Sequence, residues 1–397
     1  MIRRAFTSAS RVAFNGLYGL LRKNERELEA VFLSRQIDEP SYDFEQVALE
    51  FRRRGWKTTM HLKKVTPRHM LAYAVHVLKE LKLLGRCKVA ILDRYDPVIS
   101  LLDFECDTAG GNAAVGASQL PCNTEFPVKP IVLQLWHAFG AFKMFGFQSV
   151  DTPEGHSADF TDTFKIHRNY SWVVCSGAGA RKAFAEAFSC PEERVVALDR
   201  PEYDELAKLR QERESRILEE ALGSAKRRFR VLMAPTLRIN KESAHPFRDL
   251  YAHKDRVEAA IDADVVWSFH PLESGLPAPG NVSQQLLEAD LVVTDYSSIV
   301  YEAFLLGIPT VFFVPDLESY RRSPGLNTDP GIEAPSICAY DEEELCRLVS
   351  DLARGRTAYP YDEFMDFAGP AFAIDQDRST GTAASRLVDF LIAQSGQ

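Results

Sequence analysis

The chain has 397 residues, of which 46% are hydrophobic and 26% are charged. This length favours two folded domains, and this composition excludes a disordered or low-complexity protein. A formal net charge of −9 argues against binding to nucleic acid along the whole chain, so no nucleic-acid partner is predicted.

Two stretches near the N-terminus are basic although the whole chain is acidic. Residues 1–24 carry five basic side chains and residues 51–68 carry seven, with no acidic side chain in either stretch. Ile2, Phe6 and Leu17 lie at helical spacing in the first stretch. That segment therefore fits either an interfacial helix on an anionic membrane surface or a first helix packed on the protein.

The cysteines and the apolar runs indicate the compartment. The seven cysteines include no CxxC pair, which is typical of a reduced, cytosolic protein without disulfides. The longest apolar run, 303–314, is too short to cross a bilayer, and polar residues interrupt the N-terminal segment. We therefore expect a cytoplasmic protein.

Strands and helices are predicted to alternate through the first half of the chain. Apolar runs predict strands at 30–33, 89–92, 130–136, 172–175 and 195–198, and helices are predicted at 42–54, 69–84 and 180–188. Polar residues follow these strands, as Asp93 and His137 do. This order is typical of a parallel sheet whose site lies along the carboxyl ends of its strands.

A second alternating series follows a charged helix at 204–222. Its strands are predicted at 229–234, 263–269, 291–294, 310–314 and 336–339, and a final helix is predicted near 380–393. The predicted units are 1–24, 25–204, a bridging helix at 205–228, 229–378 and a C-terminal helix at 379–397. The predicted fold class is α/β, with two parallel-sheet domains facing each other across a cleft.

Three predicted strand ends in the second series carry residues suited to phosphate. Ser297 and Ser298 precede a predicted helix, where hydroxyls and backbone N–H groups can hold a phosphate or simply cap the helix. Arg238 can donate two parallel hydrogen bonds to phosphate oxygens. His270 can donate to a phosphate or transfer a proton near neutral pH. We interpret their convergence on one sheet edge as a phosphate-binding site.

The counterpart in the first series is the segment 134–143. Its strand places His137 at the sheet edge, where a histidine in a cleft is a candidate general base for a hydroxyl nucleophile. Lys143 follows six residues later. The chain has no GxSxG elbow, no HExxH and no P-loop, and its spacing along the sequence predicts no metal ligands.

These motifs together resemble the CDP-glycerol glycerophosphotransferase family, which includes the teichoic-acid glycerol-phosphate primases and polymerases. The N-terminal resemblance rests on Leu135-Trp136-His137 with Gly140 and Lys143, and Ala138 stands where the family usually has glycine. The C-terminal resemblance rests on an ordered set of motifs, namely Pro235-Thr236-Leu237-Arg238, His270-Pro271, Asp295-Tyr296-Ser297-Ser298, Tyr301-Glu302, Asp316, Tyr320, Arg322 and Gly325.

The resemblance implies a GT-B fold of two Rossmann-like domains, with the nucleotide held by 229–378 and the acceptor by 25–204. It implies that an acceptor hydroxyl attacks the β-phosphate of CDP-glycerol and expels CMP. The acceptor would be a lipid-linked sugar or a growing polyol-phosphate polymer. With the two basic stretches, such an acceptor implies a cytoplasmic protein bound peripherally to the inner face of the cell membrane. His137 would be the base and His270 would steady the phosphates. The remaining implied substrate contacts are Lys143, Thr236, Arg238, Asp295, Ser297, Ser298, Glu302 (facing the ribose) and Arg322.

Other functions remain open at this point. Mg²⁺ would help to shield a diphosphate, but no Asp-x-Asp pair follows a strand, so no catalytic metal is assigned. The same motifs could serve transfer of ribitol phosphate, and a GT-B glycosyltransferase using a nucleotide sugar would share the fold. A non-catalytic binding subunit is a third alternative, which the presence of both histidines with Arg238 disfavours.

Overall fold

Strands alternate with helices throughout the computed structural model, which describes residues 2–64, 70–104, 129–222, 227–238, 244–270, 272–273, 275–276 and 281–396. All strand pairs in its two sheets are parallel. The central strands are buried on both faces, as residues 30–33 and 89–92 show. Continuous apolar runs are what such strands require. The predicted α/β fold class is confirmed.

The first sheet has six strands in the order β2-β1-β3-β4-β5-β6. They are β1 Glu27–Ser34, β2 Lys57–Leu62, β3 Cys87–Leu92, β4 Ile131–Gln134, β5 Trp172–Cys175 and β6 Val195–Ala197. The helices of this half are α1 Ile2–Leu21, α2 Tyr42–Arg53, α3 Met70–Leu84, α4 Pro97–Leu101, α5 Ala158–Phe164 and α6 Arg181–Phe188.

The second sheet has five strands in the order β11-β10-β9-β7-β8. They are β7 Arg230–Met233, β8 Asp264–Trp267, β9 Leu291–Thr294, β10 Thr310–Phe313 and β11 Cys338–Ala339. The helices of this half are α7 Glu202–Leu222, α8 Pro246–Ala252, α9 Lys254–Ile261, α10 Val282–Glu288, α11 Ile299–Leu305, α12 Leu317–Arg322, α13 Pro330–Glu333, α14 Glu342–Ala353, α15 Tyr361–Ala368 and α16 Ala383–Gln394.

The structure differs from the predicted elements in two places that matter for the site. Strand β2 was not predicted, because it lies in the basic stretch 51–68 and its residues are only partly buried at the edge of the sheet. The strand predicted at 130–136 ends at Gln134, because Trp136 adopts a φ of 63°. No residue with that backbone geometry continues a strand.

Helix α1 packs on the first half of the chain. Tyr18 is buried with its ring 5.6 Å from that of Phe104, and Arg11 donates two hydrogen bonds to Asp103. Leu20 is exposed on the same helix. Of the two interpretations of residues 1–24, the structure therefore shows the packed helix. None of the described helices combines the length and the apolarity that crossing a membrane would require.

The chain crosses between its two halves twice. Helix α7 leads from β6 to the second sheet, and the segment after α15 returns, so that α16 buries Leu387, Val388 and Leu391 in the core beneath the first sheet. Gly177 permits this return, since a Cβ there would lie 2.4 Å from the backbone of Ala371. The predicted domain boundaries stay predictions.

Candidate active site in the cleft between the two sheets

His137 follows β4 in a turn that Gln134 holds. The N–H of Trp136 donates to Oε1 of Gln134 at 3.0 Å, and Nε2 of Gln134 donates to the carbonyl oxygen of Arg94 at 3.2 Å. Trp136 lies in the left-handed region, which is rare for a bulky residue and marks a backbone held by its surroundings. Gln134, which is fully buried, therefore fixes the turn that presents His137.

The hydrogen bond of His137 defines which ring nitrogen can act as a base. Its Nδ1 lies 3.2 Å from the carbonyl oxygen of Asp93, and a carbonyl only accepts, so Nδ1 carries the proton and Nε2 keeps its lone pair. Desolvation of the ring, followed by the charges of Arg94 and Arg200, lowers the pKa of His137 to about 3, although the residue as a whole is exposed. The imidazole is therefore neutral at neutral pH, as a general base must be.

The loop after His137 is anchored in the other half of the molecule. Phe139 and Phe142 join the hydrophobic core of the second half, and Phe142 lies 5.0 Å from Phe367 between ring centroids. Gly140 has a φ of 59°, and a Cβ there would lie 2.3 Å from the ring of Tyr301. The position of His137 therefore depends on the contact between the two halves.

Lys143 lies at the same junction. Its backbone forms an antiparallel bridge with Leu326, and the N–H of Met144 donates to the carbonyl oxygen of Gly325 at 3.0 Å. Its Nζ is 3.9 Å from a carboxylate oxygen of Glu154, at the limit of an ion pair. Its predicted contact with substrate stays a prediction.

Three of the predicted residues meet at the edge of the second sheet. Asp295 follows β9 and accepts from the N–H of Thr236 at 2.7 Å and from Nη2 of Arg238 at 2.9 Å. Nη1 of Arg238 donates to Asp316 at 2.7 Å, and that carboxylate also accepts from the hydroxyl of Tyr296 at 3.0 Å. Burial raises the pKa of Asp295, and Arg238 opposes this shift.

The sequence predicted an arginine that would be free to bind phosphate, whereas Arg238 is held by other side chains in the structure. Its guanidinium is buried, lies 4.9 Å from the ring centroid of Tyr320 and forms ion pairs with Asp295 and Asp316. Only Nε has no hydrogen-bond partner among the described residues. In this structure Arg238 therefore neutralises two buried carboxylates, and its predicted contact with phosphate stays a prediction.

His270 follows β8 and is exposed. The N–H of Leu272 donates to its Nδ1 at 3.2 Å, so in the neutral ring the proton lies on Nε2. This is the opposite tautomer to that of His137. His270 can therefore donate a hydrogen bond where His137 can accept a proton.

The residues before and within α11 leave several polar atoms unused. Ser297 and Ser298 are half-buried; the Ser298 side chain makes no capping hydrogen bond, and Ser297 Oγ is 3.5 Å from the N–H of Ile299. Glu302 has a buried Oε2 without a partner among the described residues. Burial, reinforced by Glu202, raises the pKa of Glu302 to about 7.

Arg322 differs from Arg238 in having no ion-pair partner among the described residues. It is exposed at the end of α12, and no acceptor among the described residues is paired with it. Unlike Arg238, it has a side chain that is free to meet an anion. Its predicted contact with substrate stays a prediction.

Sequence reasoning assigned no role to two arginines that act on His137. Arg94 follows Asp93 after β3, and Arg200 follows Asp199 after β6, so both occupy the strand-end positions that led us to His137. Arg200 is buried and donates to Asp43 at 2.7 Å, while its Nη1 has no partner among the described residues. Strand-end position was the signal that could have found them.

The carboxylates of the second sheet edge do not fit a Mg²⁺ site. Arg238 engages both Asp295 and Asp316, so neither offers the free oxygen ligands that Mg²⁺ prefers.

The sequence profile of one family matches nearly the whole chain. The profile of CDP-Glycerol:Poly(glycerophosphate) glycerophosphotransferases matches residues 21–392. The chain belongs to this family. The resemblance seen in the motifs is confirmed, and the matched range includes every residue of the candidate site.

Individual relatives within the family carry both glycerol and ribitol in their names. The chain is 27% identical over 281 residues to the teichoic acid ribitol-phosphate primase of Bacillus spizizenii, covering 63% of each chain. It is 22% identical over 334 residues to the teichoic acid glycerol-phosphate primase of Bacillus subtilis, covering 80% of this chain and 76% of the relative. The match to the Bacillus spizizenii poly(ribitol-phosphate) polymerase covers only 43% of that protein.

A solved structure shows the same fold. The wall teichoic acid polymerase TagF matches with a TM-score of 0.64 over 99% of this chain and 98% of that chain, at 16% sequence identity. The GT-B-like architecture expected from the resemblance is thereby confirmed. At this identity the likeness establishes the fold alone.

Proposed function

We propose that this protein transfers glycerol phosphate from CDP-glycerol to a hydroxyl group of an acceptor and releases CMP, in the synthesis of a teichoic-acid-like polymer. Membership of the family supports the reaction class. The acceptor is a lipid-linked sugar or a growing polyol-phosphate chain. The observation that carries the proposal is the neutral His137, whose Nε2 lone pair is fixed by the Asp93 carbonyl at the carboxyl edge of the first sheet.

The proposed step forms one bond and breaks one bond. The acceptor oxygen attacks the β-phosphorus of CDP-glycerol, and its proton passes to Nε2 of His137. The bond from that phosphorus to the bridging oxygen breaks, and the electron pair leaves with CMP. The product is a phosphodiester, so the net reaction exchanges one phosphoryl linkage for another.

The second half would hold the donor during this step. Nε2–H of His270 would donate to the diphosphate, and the exposed Arg322 would contact its charge. The hydroxyls of Ser297 and Ser298 would add hydrogen bonds, and Glu302 would face the ribose. Thr236, Arg238 and Asp295 would shape this edge, and Lys143 would contact substrate from the junction loop.

A coupled test separates the donor classes. Purified protein is incubated with CDP-glycerol, CDP-ribitol and a UDP-sugar, each with a polyol-phosphate primer, and the released nucleotide is identified. CMP release from CDP-glycerol that disappears in His137→Ala supports the proposal. Release of UDP from the sugar donor, without CMP from either CDP-alditol, would contradict it.

Ribitol phosphate is a second candidate for the transferred group. The primase and polymerase that match at 27% and 28% identity are named for ribitol phosphate. In the same experiment, a higher kcat/KM with CDP-ribitol than with CDP-glycerol would select this alternative. Both candidates share the mechanism that His137 supports.

We propose that the protein acts in the cytoplasm, bound peripherally to the inner face of the membrane through α3. Leu71, Val75 and Leu78 lie on one face of this helix and are 86%, 51% and 45% exposed. Lys79 and Lys82 are exposed on the same helix. An apolar stripe flanked by lysines suits the surface of an anionic bilayer, where a lipid-linked acceptor would be found.

A further inference from the structure

We propose that His61, His76 and Glu80 form a binding site for a divalent transition metal ion, with Zn²⁺ as the best match. The three side chains lie in the first half of the molecule, and one ligand atom from each lies within 4.8 Å of the other two. The spacing of residues along the chain did not reveal this set, because His61 comes from β2 and the other two from α3.

The helix supplies two of the three ligands by its periodicity. His76 and Glu80 are separated by four residues, so both side chains lie on one face of α3. Nε2 of His76 is 3.9 Å from Oε2 of Glu80. Paired ligands at this spacing on one helix are a frequent basis of zinc sites.

His61 completes the set from the neighbouring strand. Its ring stacks on that of His76 with centroids 3.9 Å apart and an angle of 20° between the planes. Because imidazole binds a metal in the plane of its ring, one of the two rings must turn for both lone pairs to face the same ion. Its Nε2 lies 3.1 Å from the carbonyl oxygen of His76 and carries the proton of that hydrogen bond, so the lone pair lies on Nδ1. Imidazole nitrogens and a carboxylate are the mixture that Zn²⁺ binds.

Glu80 offers an oxygen that a cation could reach. Glu80 is 1% exposed, and its Oε1 accepts from no N–H or O–H donor among the described residues. Its carboxyl group is hydrogen-bonded to that of Asp96, and burial together with this neighbour raises the pKa of Glu80, so a bound cation would take the place of the proton between the two carboxyl groups. Buried carboxylate oxygens are normally satisfied, because desolvating one without a partner is costly. A bound cation would satisfy this oxygen.

The surrounding residues would orient Glu80 as a ligand. Nη2 of Arg35 donates to its other oxygen, Oε2, at 2.7 Å, and Nε of Arg35 donates to Asp96 at 2.7 Å. Such outer hydrogen bonds fix ligating carboxylates in many metal sites.

Bound metal would connect an edge strand to a helix. Among the described strands β2 pairs only with β1, and its residues are partly exposed, so the sheet alone holds it weakly. Asp96, at the far end of the Arg35 bridge, lies three residues after Asp93, which holds His137. We therefore expect the ion to stabilise the first half of the molecule rather than to take part in the reaction.

The test is Zn²⁺ binding by the protein after dialysis against a chelator. Calorimetric titration with Zn²⁺ should give one ion per chain, and Zn²⁺ should raise the melting temperature. Co²⁺ bound in its place should give the visible absorption bands of a tetrahedral site. His61→Ala should weaken Zn²⁺ affinity by about 10–100-fold or more, and Glu80→Gln should do the same.

The matched control is His156→Ala, which removes an exposed histidine of the same half outside the cluster. It should bind Zn²⁺ as the unmodified protein does. His61 is only half-buried, so His61→Ala tests the site even where Glu80→Gln fails to fold. Absence of stoichiometric binding by the unmodified protein, or equal affinity in folded His61→Ala, would overturn the proposal.

Discussion

The ring of Tyr301 in α11 occupies the space where a Cβ of Gly140 would lie, 2.3 Å from its Cζ. The contact joins the loop that follows His137 to the second half of the molecule. Gly140→Ala should therefore destabilise the protein by about 1–3 kcal/mol beyond any backbone effect, because a well-packed contact must open. Activity should fall with it, as His137 moves. Chemical denaturation and CMP release measure the two effects.

Gly55→Ala is the control for this change. Gly55 also has a positive φ, of 79°, but apart from its chain neighbours nothing lies within 4 Å of the position that a Cβ would take. In both variants an alanine must adopt a left-handed backbone conformation, so both carry the same backbone strain. The difference between their free energies of unfolding therefore isolates the contact with Tyr301. Equal losses of stability and activity in the two variants would show that the contact contributes nothing.

The proton acceptor of the proposed reaction is His137, and His137→Ala should lower kcat by about 10²–10⁴-fold. His270→Ala should also lower turnover, since it would lose a donor to the diphosphate. Both histidines keep exposed surface, so the variants should remain folded. Circular dichroism checks folding and CMP release checks turnover; folded variants with near-normal rates would refute these roles.

The pH dependence should carry the signature of the lowered pKa of His137. Because the pKa is about 3, the base is already neutral well below pH 6.5, and kcat/KM should show no acid limb near the ordinary histidine pKa. Arg94→Gln removes a charge that lowers this pKa, so it should move the acid limb to higher pH. An unchanged limb in Arg94→Gln would contradict the electrostatic effect.

Gln134 should behave as a positioning residue. Gln134→Leu removes the hydrogen bonds to the N–H of Trp136 and to the carbonyl of Arg94, and should lower kcat more than it raises KM. Gln134→Glu keeps the acceptor for Trp136 and loses only the donor, so it should retain more activity. If the two variants had equal kcat, the fixed turn at Trp136 would have no catalytic value.

Arg238 should contribute more to the stability of the fold than to the binding of the donor. Arg238→Ala leaves Asp295 and Asp316 buried without their cation, which typically costs about 3–5 kcal/mol. Asp316→Asn in the same chain should restore part of the loss. Arg322→Ala, at an exposed position, should leave stability unchanged and weaken CDP binding. Denaturation curves and calorimetric titration with CDP decide between these roles.

The α3 face should govern binding to anionic vesicles. Leu71→Ser combined with Leu78→Ser should reduce co-sedimentation with vesicles containing phosphatidylglycerol at low salt, because each exposed apolar side chain contributes to insertion. Leu218→Ser, at a 63% exposed position of α7, is the matched control and should have no effect. Equal co-sedimentation of all variants would remove the basis for placing α3 on the membrane.

The sequence predicted the two sheets well, because buried parallel strands are continuous apolar runs such as 89–92 and 291–294. It also placed His137 and Asp295 at sheet edges. It could not show that Trp136 would leave the strand, since a buried glutamine holds that turn. Nor could it show the partners of Arg238, which lie 57 and 78 residues away and meet it only in the folded chain.

The position of α16 has a consequence for biosynthesis. Residues 383–394 are translated after both sheets, yet they supply Leu387, Val388 and Leu391 to the core beneath the sheet that emerges first from the ribosome. The apolar face of the first sheet that α16 covers must therefore stay exposed until the second half has been translated. The second half, whose core is completed by Phe372, can become ordered earlier. Nascent chains stalled before residue 383 should bind chaperones through the half that holds His137.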